Sequence, residues 1–203
     1  MLQHGKLVLA SASQIRRQLL AQAGLKFEVH PADLDEGAIK QAFFTEQNES
    51  KPSDVAQLLA QTKAMVVSDF YPDHTVIGSD QILVHEDKIL SKPASPAEAR
   101  DQLINLRGTT HELVSAVAIA LGGKVQWSYE GIARLKMRDV SNAFIGTYLA
   151  AMGDEVTQSV GAYKLEGLGI HLFEEVDGDY FTILGLPMLP LLDHLRSKNP
   201  HLV

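Results

Sequence analysis

Two long runs rich in apolar and β-branched residues, Leu113 to Leu121 and Val125 to Met137, meet at Gly122-Gly123. A two-glycine junction between strand-like runs predicts a hairpin, because tight hairpin turns need positive φ at their central residues. That hairpin brings antiparallel pairing into whatever sheet the chain forms. Upstream, the spacing switches between strand and helix. Lys6 to Ala10 is a short apolar strand, and from Ser13 apolar residues fall at Ile15, Leu19, Leu20 and Ala23, ending at Gly24. Phe27 to His30 reads as a second strand, and a polar stretch runs from Asp33 to about Pro52. Ser53-Asp54 then caps a helix carrying Val55, Leu58, Leu59, Met65 and Val66. Interleaved strands and helices predict an α/β protein, and the hairpin makes its twisted sheet mixed, with flanking helices.

Thr75 to Gly78 and Ile82 to His85 read as one strand broken by the polar Ser79-Asp80-Gln81, with a turn at Glu86-Asp87-Lys88. Pro96 opens a helix through Ala99, Leu103 and Leu106 that Gly108 closes. A helix from Ser141 to Ala151, a glycine-rich segment from Gly161 to Gly169, a strand near Ile170 to Phe173 and a helix after Pro187 follow. No repeat, low-complexity tract or linker interrupts the 203 residues, so the expectation is one domain over 1–203, with room for two lobes around a central cleft.

Twenty-five acidic against 18 basic side chains give a net charge of −7, which repels nucleic-acid polymers and anionic membranes. An anionic ligand therefore needs a local basic cluster. The absence of cysteine excludes disulfides, a thiolate nucleophile and cysteine-ligated metal, and fits a reducing cytoplasm. Leu7 to Ala10 is too short for an export signal, and no apolar run approaches the ~20 residues that cross a bilayer.

The segment Ala10-Ser-Ala-Ser-Gln-Ile-Arg16-Arg17 runs from a strand into a helix with two arginines in its first turn. A helix N-terminus presents free N–H groups and partial positive charge, so it suits a phosphate; a plain Ser N-cap with two solvated arginines is the alternative. Asp80 interrupts an apolar strand and must find a partner, a metal or cleft solvent, unless the position is a bulge or edge where it caps a turn. Asp33, Asp35 and Glu36 form either a hard-cation cluster or a solvated acidic loop. Taken singly, Lys63 and Lys92 read as surface lysines, and the glycine-rich loop as either a ligand-approach segment or a plain loop. The eight histidines show no ligand spacing.

Taken in order, these segments resemble the Maf family of nucleoside triphosphate pyrophosphatases. The resemblance rests on Leu9-Ala-Ser-Ala-Ser13 with Arg16, Asp35-Glu36, Lys63-Ala64, Gly78-Ser-Asp80, Lys92-Pro93, Gly108-Thr-Thr-His111, Gly161-Ala-Tyr163, Glu166-Gly167 and Gly185-Leu-Pro187. It implies an α/β fold of the Maf/inosine-triphosphatase kind with a nucleotide cleft, a divalent metal (Mg or Mn), a homodimer, and hydrolysis between the α- and β-phosphates. Carried over by position, Asp80 is the base or water-orienting carboxylate, Glu36 and Asp80 hold the metal, and Ser11, Ser13, Arg16, Lys63 and Lys92 grip the phosphates.

Three positions bear on specificity. The branch of the family acting on dTTP and UTP has an Arg before Arg16, a Thr after Asp80 and a Gln before the late glycine; this chain has Ile15, Gln81 and Glu166. Gln81 and Glu166 resemble the 7-methyl-GTP branch, and a carboxylate accepts both Watson–Crick donors of guanine. Ile15 departs from it, since that branch usually has Trp there. The implied substrate is 7-methyl-GTP; the alternatives are a dTTP/UTP pyrophosphatase and a non-catalytic nucleotide-binding regulator of cell division.

Overall fold

The computed structural model describes residues 6–46 and 51–198. Residues 1–5, at the start of the segment read above for an export signal, and 47–50 of the polar stretch lie outside them. The chain runs β1 (Leu7–Leu9), α1 (Gln14–Gln22), β2 (Phe27–Val29), α2 (Glu36–Glu46), α3 (Asp54–Phe70), β3 (Thr75–His85), β4 (Lys88–Leu90) and α4 (Pro96–Leu106). There follow β5 (Thr110–Leu121), β6 (Lys124–Met137), α5 (Asn142–Met152), three 3-10 turns between Gly153 and Leu172, β7 (Phe173–Asp177), α6 (Tyr180–Ile183) and α7 (Met188–Lys198).

All seven strands form one mixed sheet in the order β2-β1-β3-β5-β6-β7, with β4 added to β3. β1 pairs in parallel with β2 and β3, and every other pairing is antiparallel. The β5–β6 hairpin turns at Gly122 and Gly123, both with positive φ, as their pairing predicts. The central strands β1, β3 and β5 are buried on both faces. One side packs Leu7, Leu9, Ile77, Val117 and Ile119 against α1 and α7; the other packs Ile82, Val114, Ala116 and Ala118 against α3. A third cluster joins α4 and α5 to the far end of β3, β5 and β6.

Three local expectations are corrected. The strand broken at Ser79-Asp80-Gln81 is continuous, because each polar side chain there finds a partner off the sheet. The polar stretch after Asp33 contains α2, begun by Asp35, whose Oδ1 accepts from the Ala38 N–H at 2.9 Å. Asp35 is thus the N-cap of α2, and the segment from Glu36 is helix where a solvated loop was the alternative. The late strand lies at Phe173–Asp177, since Leu168–Leu172 coils into a 3-10 turn. Glu86 and Asp87 turn the chain at positive φ as expected, and Lys88 begins β4.

Candidate active site

β1 lies between its two parallel neighbours: the chain passes from it through α1 to β2 on one side, then from β2 through α2 and α3 back across to β3 on the other. Open α/β sheets form ligand crevices outside the carboxyl ends of strands at such a switch point. Here β1 pairs with β3 only as far as Leu9↔Ile77, and β4 rejoins β3 from Leu83 onward. The intervening edge of β3, Gly78 to Ile82, is left without a neighbouring strand. A cleft of about 860 Å³ opens beside it. Its walls include Ser11, Ser13, Ile15, Arg16, Glu36, Lys63, Asp80, Gln81, Lys92 and Glu166. The fold thus brings together all ten site residues expected from the sequence.

Gly78 and Asp80 share the β3 face that packs on α3. A Cβ on Gly78 would stand 2.2 Å from Ala60 O and 2.6 Å from Ala64 N, so only glycine lets the helix come this close. At that separation Lys63 Nζ reaches Asp80 Oδ1 at 2.6 Å and, on its other side, Glu36 Oε1 at 2.6 Å. Lys63 and Asp80 are buried, which a lone charge in either position would not tolerate. Burial pushes the Glu36 carboxyl up, but the hydrogen bond and charge of Lys63, with Lys40 and Arg16 beyond, outweigh it and hold it below its ordinary range. Asp80 Oδ2 has no hydrogen-bond partner among the described residues.

Ser79 and Gln81 point to the opposite face. Ser79 Oγ donates to Ala116 O and to Gly185 O, at 2.8 and 2.9 Å. Gln81 Nε2 donates to Ser115 Oγ and to the Thr182 and Ile183 carbonyls, which leaves its Oε1 as the atom free to meet a ligand. Arg16 is buried, not solvated: Nε donates to Gly185 O at 2.8 Å, and Nη1 donates to Ser79 O at 2.8 Å and Ser11 Oγ at 3.2 Å. It therefore satisfies a carbonyl of the β3 edge that β1 leaves unpaired. Burial lowers the guanidinium's pKa, opposed by Asp80 and Glu36, yet an arginine stays charged. Gly185 holds its carbonyl toward this pair at φ +90°, a conformation that favours glycine.

Ser13 is the N-cap of α1, its Oγ accepting from the Arg16 N–H at 3.5 Å. Ser11 Oγ accepts from the Ser13 N–H at 3.3 Å. Both serines thus shape the loop that aims the first turn of α1 at the cleft. Lys92 follows Ser91, whose carbonyl accepts from Gln102 Nε2 of α4 at 2.9 Å. Opposite, Tyr163 Oη pairs with His111 Nε2 at 2.7 Å, Tyr148 Oη donates to Ala162 O, and Ser159 Oγ donates to Tyr163 O. These bonds fix the loop that presents exposed Glu166 and, beside it, Lys164, which pairs with Glu155 at 2.7 Å.

Three lining residues escaped the sequence reading. Tyr163 and Lys164 stood in the glycine-rich segment without an assigned role, and Lys40 carried no local signal of its own. The spacing of Glu36 and Lys40, four apart behind an Asp N-cap, was the available signal for a helix there. Among the described residues no three His, Asp or Glu side chains gather in a metal-binding group.

The fold and cleft define an α/β protein whose crevice, lined by five cationic side chains and three carboxylates, is built for a small polyanion. The chain belongs to the Maf-like protein family, whose model matches residues 6–198. It is 52% identical over 193 residues, 95% of this chain and 94% of the relative, to a nucleoside triphosphate pyrophosphatase of Bradyrhizobium diazoefficiens. It is 49% identical to a 7-methyl-GTP pyrophosphatase of Brucella abortus, over 96% of each chain, and 49% identical to one of Rhizobium etli, over 95% of this chain and 96% of that one.

Proposed function

We propose that the chain is a metal-dependent nucleoside triphosphate pyrophosphatase, favouring 7-methyl-GTP, that works on the nucleotide pool of the cytoplasm. The observation that carries this is the convergence of a helix N-terminus, Arg16, Lys63 and a carboxylate with one uncommitted oxygen at the switch point of the sheet. The names of the relatives from Brucella and Rhizobium favour the methylated substrate.

The reaction moves water onto phosphorus. The water oxygen bonds to the α-phosphorus, the bond from that phosphorus to the α–β bridging oxygen breaks, and pyrophosphate leaves. Asp80 Oδ2 orients the water and takes its proton, while Oδ1 stays on Lys63. The first N–H groups of α1 and the cations of Arg16, Lys63 and Lys92 offset charge on the phosphates, which is where catalysis of phosphoryl transfer is won. Glu36 and Asp80 would hold the expected divalent cation: both are hard oxygen donors, each with one carboxylate oxygen that Lys63 leaves free, and magnesium needs only one or two carboxylates when phosphates and water complete its shell. When bound, the cation supplies further positive charge against the phosphoryl oxygens. At the other end, the Glu166 carboxylate accepts the two donors of a guanine edge and favours the positive charge of 7-methylation.

The test is pyrophosphate release from 7-methyl-GTP, GTP, dTTP, UTP and CTP at equal concentration, with magnesium, manganese or chelator, and with Asp80→Asn as the inactive control. Metal-dependent preference for 7-methyl-GTP is expected. Preference for dTTP or UTP would discard the role given to Gln81 and Glu166 but keep the chemistry. Nucleotide binding without turnover would turn the reading to a regulator.

A further inference from the structure

The cations around the cleft are not equally available. Arg16 donates to Gly185 O, Ser79 O and Ser11 Oγ. Lys63 is held by Asp80 and Glu36, and Lys164 by Glu155 and Gln158. Two lysines of the cleft wall have no hydrogen bond or ion pair among the described residues, Lys92 and Lys40. Lys92 is exposed on the strap after β4, whereas Lys40 is half-buried on α2. Half-burial lays the aliphatic stem of Lys40 along the cleft wall, and its ammonium meets no acceptor among the described residues, so it is open to an anion that enters the cleft.

The obvious internal counter-charge is Glu36, one turn earlier on the same helix face. Its Oε1, however, lies 2.6 Å from Lys63 Nζ, and Glu36 and Lys40 form no ion pair within 4 Å. Lys40 acts on Glu36 only through its field. We infer that Lys40 is a phosphate-binding residue of this cleft: its ammonium meets the polyphosphate chain of the substrate from α2, adding to Lys92 and the α1 N-terminus, which line the same crevice. This rests on the reading of the cleft as a nucleoside triphosphate site and adds a contact to it. A triphosphate carries about four negative charges, and the cationic groups already engaged inside the protein offer it field but few free donors. Lys40 offers three N–H donors with no competing acceptor.

The experiment measures binding of inorganic tripolyphosphate to the full chain by calorimetry in magnesium buffer, for the parent, Lys40→Gln and Lys40→Arg, alongside steady-state hydrolysis. Lys40→Gln is expected to weaken tripolyphosphate binding roughly tenfold, the effect of one lost charge-assisted contact, and Lys40→Arg to restore it to within about threefold. In turnover the same loss is expected in KM with kcat within about twofold, since the contact is made equally in ground and transition states. Equal tripolyphosphate affinity of the parent and Lys40→Gln, or no tripolyphosphate binding by the parent, overturns the inference. So does a Lys40→Arg variant as weak as Lys40→Gln with both unfolding at lower urea, which would make Lys40 a structural partner of α2. Tripolyphosphate binding that depends on Lys40 with no hydrolysis of any nucleotide would instead uphold the contact and sink the pyrophosphatase reading.

Discussion

Lys63 joins Asp80 and Glu36 at a single atom, and that arrangement aims both carboxylates into the cleft. Removing Lys63 or Asp80 would leave the other a buried charge uncompensated, which costs about 3–5 kcal/mol for a buried pair. At the far end, Glu166 is exposed and joined to no salt bridge among the described residues, so its carboxylate is available to a base. Glu166→Gln replaces two acceptors with one acceptor and one donor. The ratio of kcat/KM for 7-methyl-GTP to that for UTP should fall by roughly tenfold, the worth of one charge-assisted hydrogen bond. Competition kinetics with both substrates in one tube reads this directly, and an unchanged ratio would remove Glu166 from base recognition.

At the scale of elements, the site depends on how closely α3 lies on β3. Gly78 sets that distance: an alanine there would drive its Cβ into the backbone of α3 at Ala60 and Ala64. The helix would have to shift, carrying Lys63 away from Asp80. Gly78→Ala is therefore expected to lose about 1–3 kcal/mol of stability in urea unfolding and to lose turnover disproportionately. Gly146→Ala on α5, where a new Cβ meets nothing within 4 Å, is the matching control and should be neutral or stabilising by about 0.5–1 kcal/mol. If Gly78→Ala proved as stable and active as the parent, the close approach would not be what places Lys63. α2 teaches the complementary lesson. Its polar first turn resembles a loop in sequence, and only the Asp35 cap and the packing of Ile39 and Phe43 beside α3 make it a helix.

The whole molecule carries a buried titratable pair that couples its stability to pH. His111 is 1% exposed, its Nδ1 has no partner among the described residues, and burial, with the nearby His85, lowers its pKa to about 4. Burial pushes its partner Tyr163 well above the ordinary phenol range, so both are neutral at pH 7. In the unfolded chain His111 takes a proton at its ordinary pKa of 6.5, and the folded chain does so only near 4. Between those values the unfolded state binds more protons, so stability is present above pH 6.5 and falls as the pH drops toward 4, by at most roughly 3 kcal/mol. His111→Gln keeps a donor for Tyr163 and does not titrate. Urea midpoints for the variant should lose the part of the pH dependence that lies between 4 and 6.5; parallel curves for parent and variant would refute the assignment.

The sequence by itself determined the element types where periodicity was long or punctuation strong: the glycine hairpin, the helices begun at Ser13, Pro96 and Ser141, the helix after Ser53 (though the Ser53 side chain makes no cap hydrogen bond), and the mixed sheet that follows from joining a hairpin to alternating strands and helices. Asp80 in an apolar strand and Arg16 in a helix first turn stood out on local grounds, whereas Lys63, Lys92, Ile15, Gln81 and Glu166 were marked only by the resemblance to the family. The tertiary structure alone decided their states. Ser79, Asp80 and Gln81 look like a break in a strand because a strand cannot supply partners for its own polar side chains. Lys63 lies 17 positions from Asp80, and Gly185 lies 169 from Arg16. Partners so distant are set by the crossing of α3 over β3 and by the gap between β1 and β4, and no local pattern encodes either.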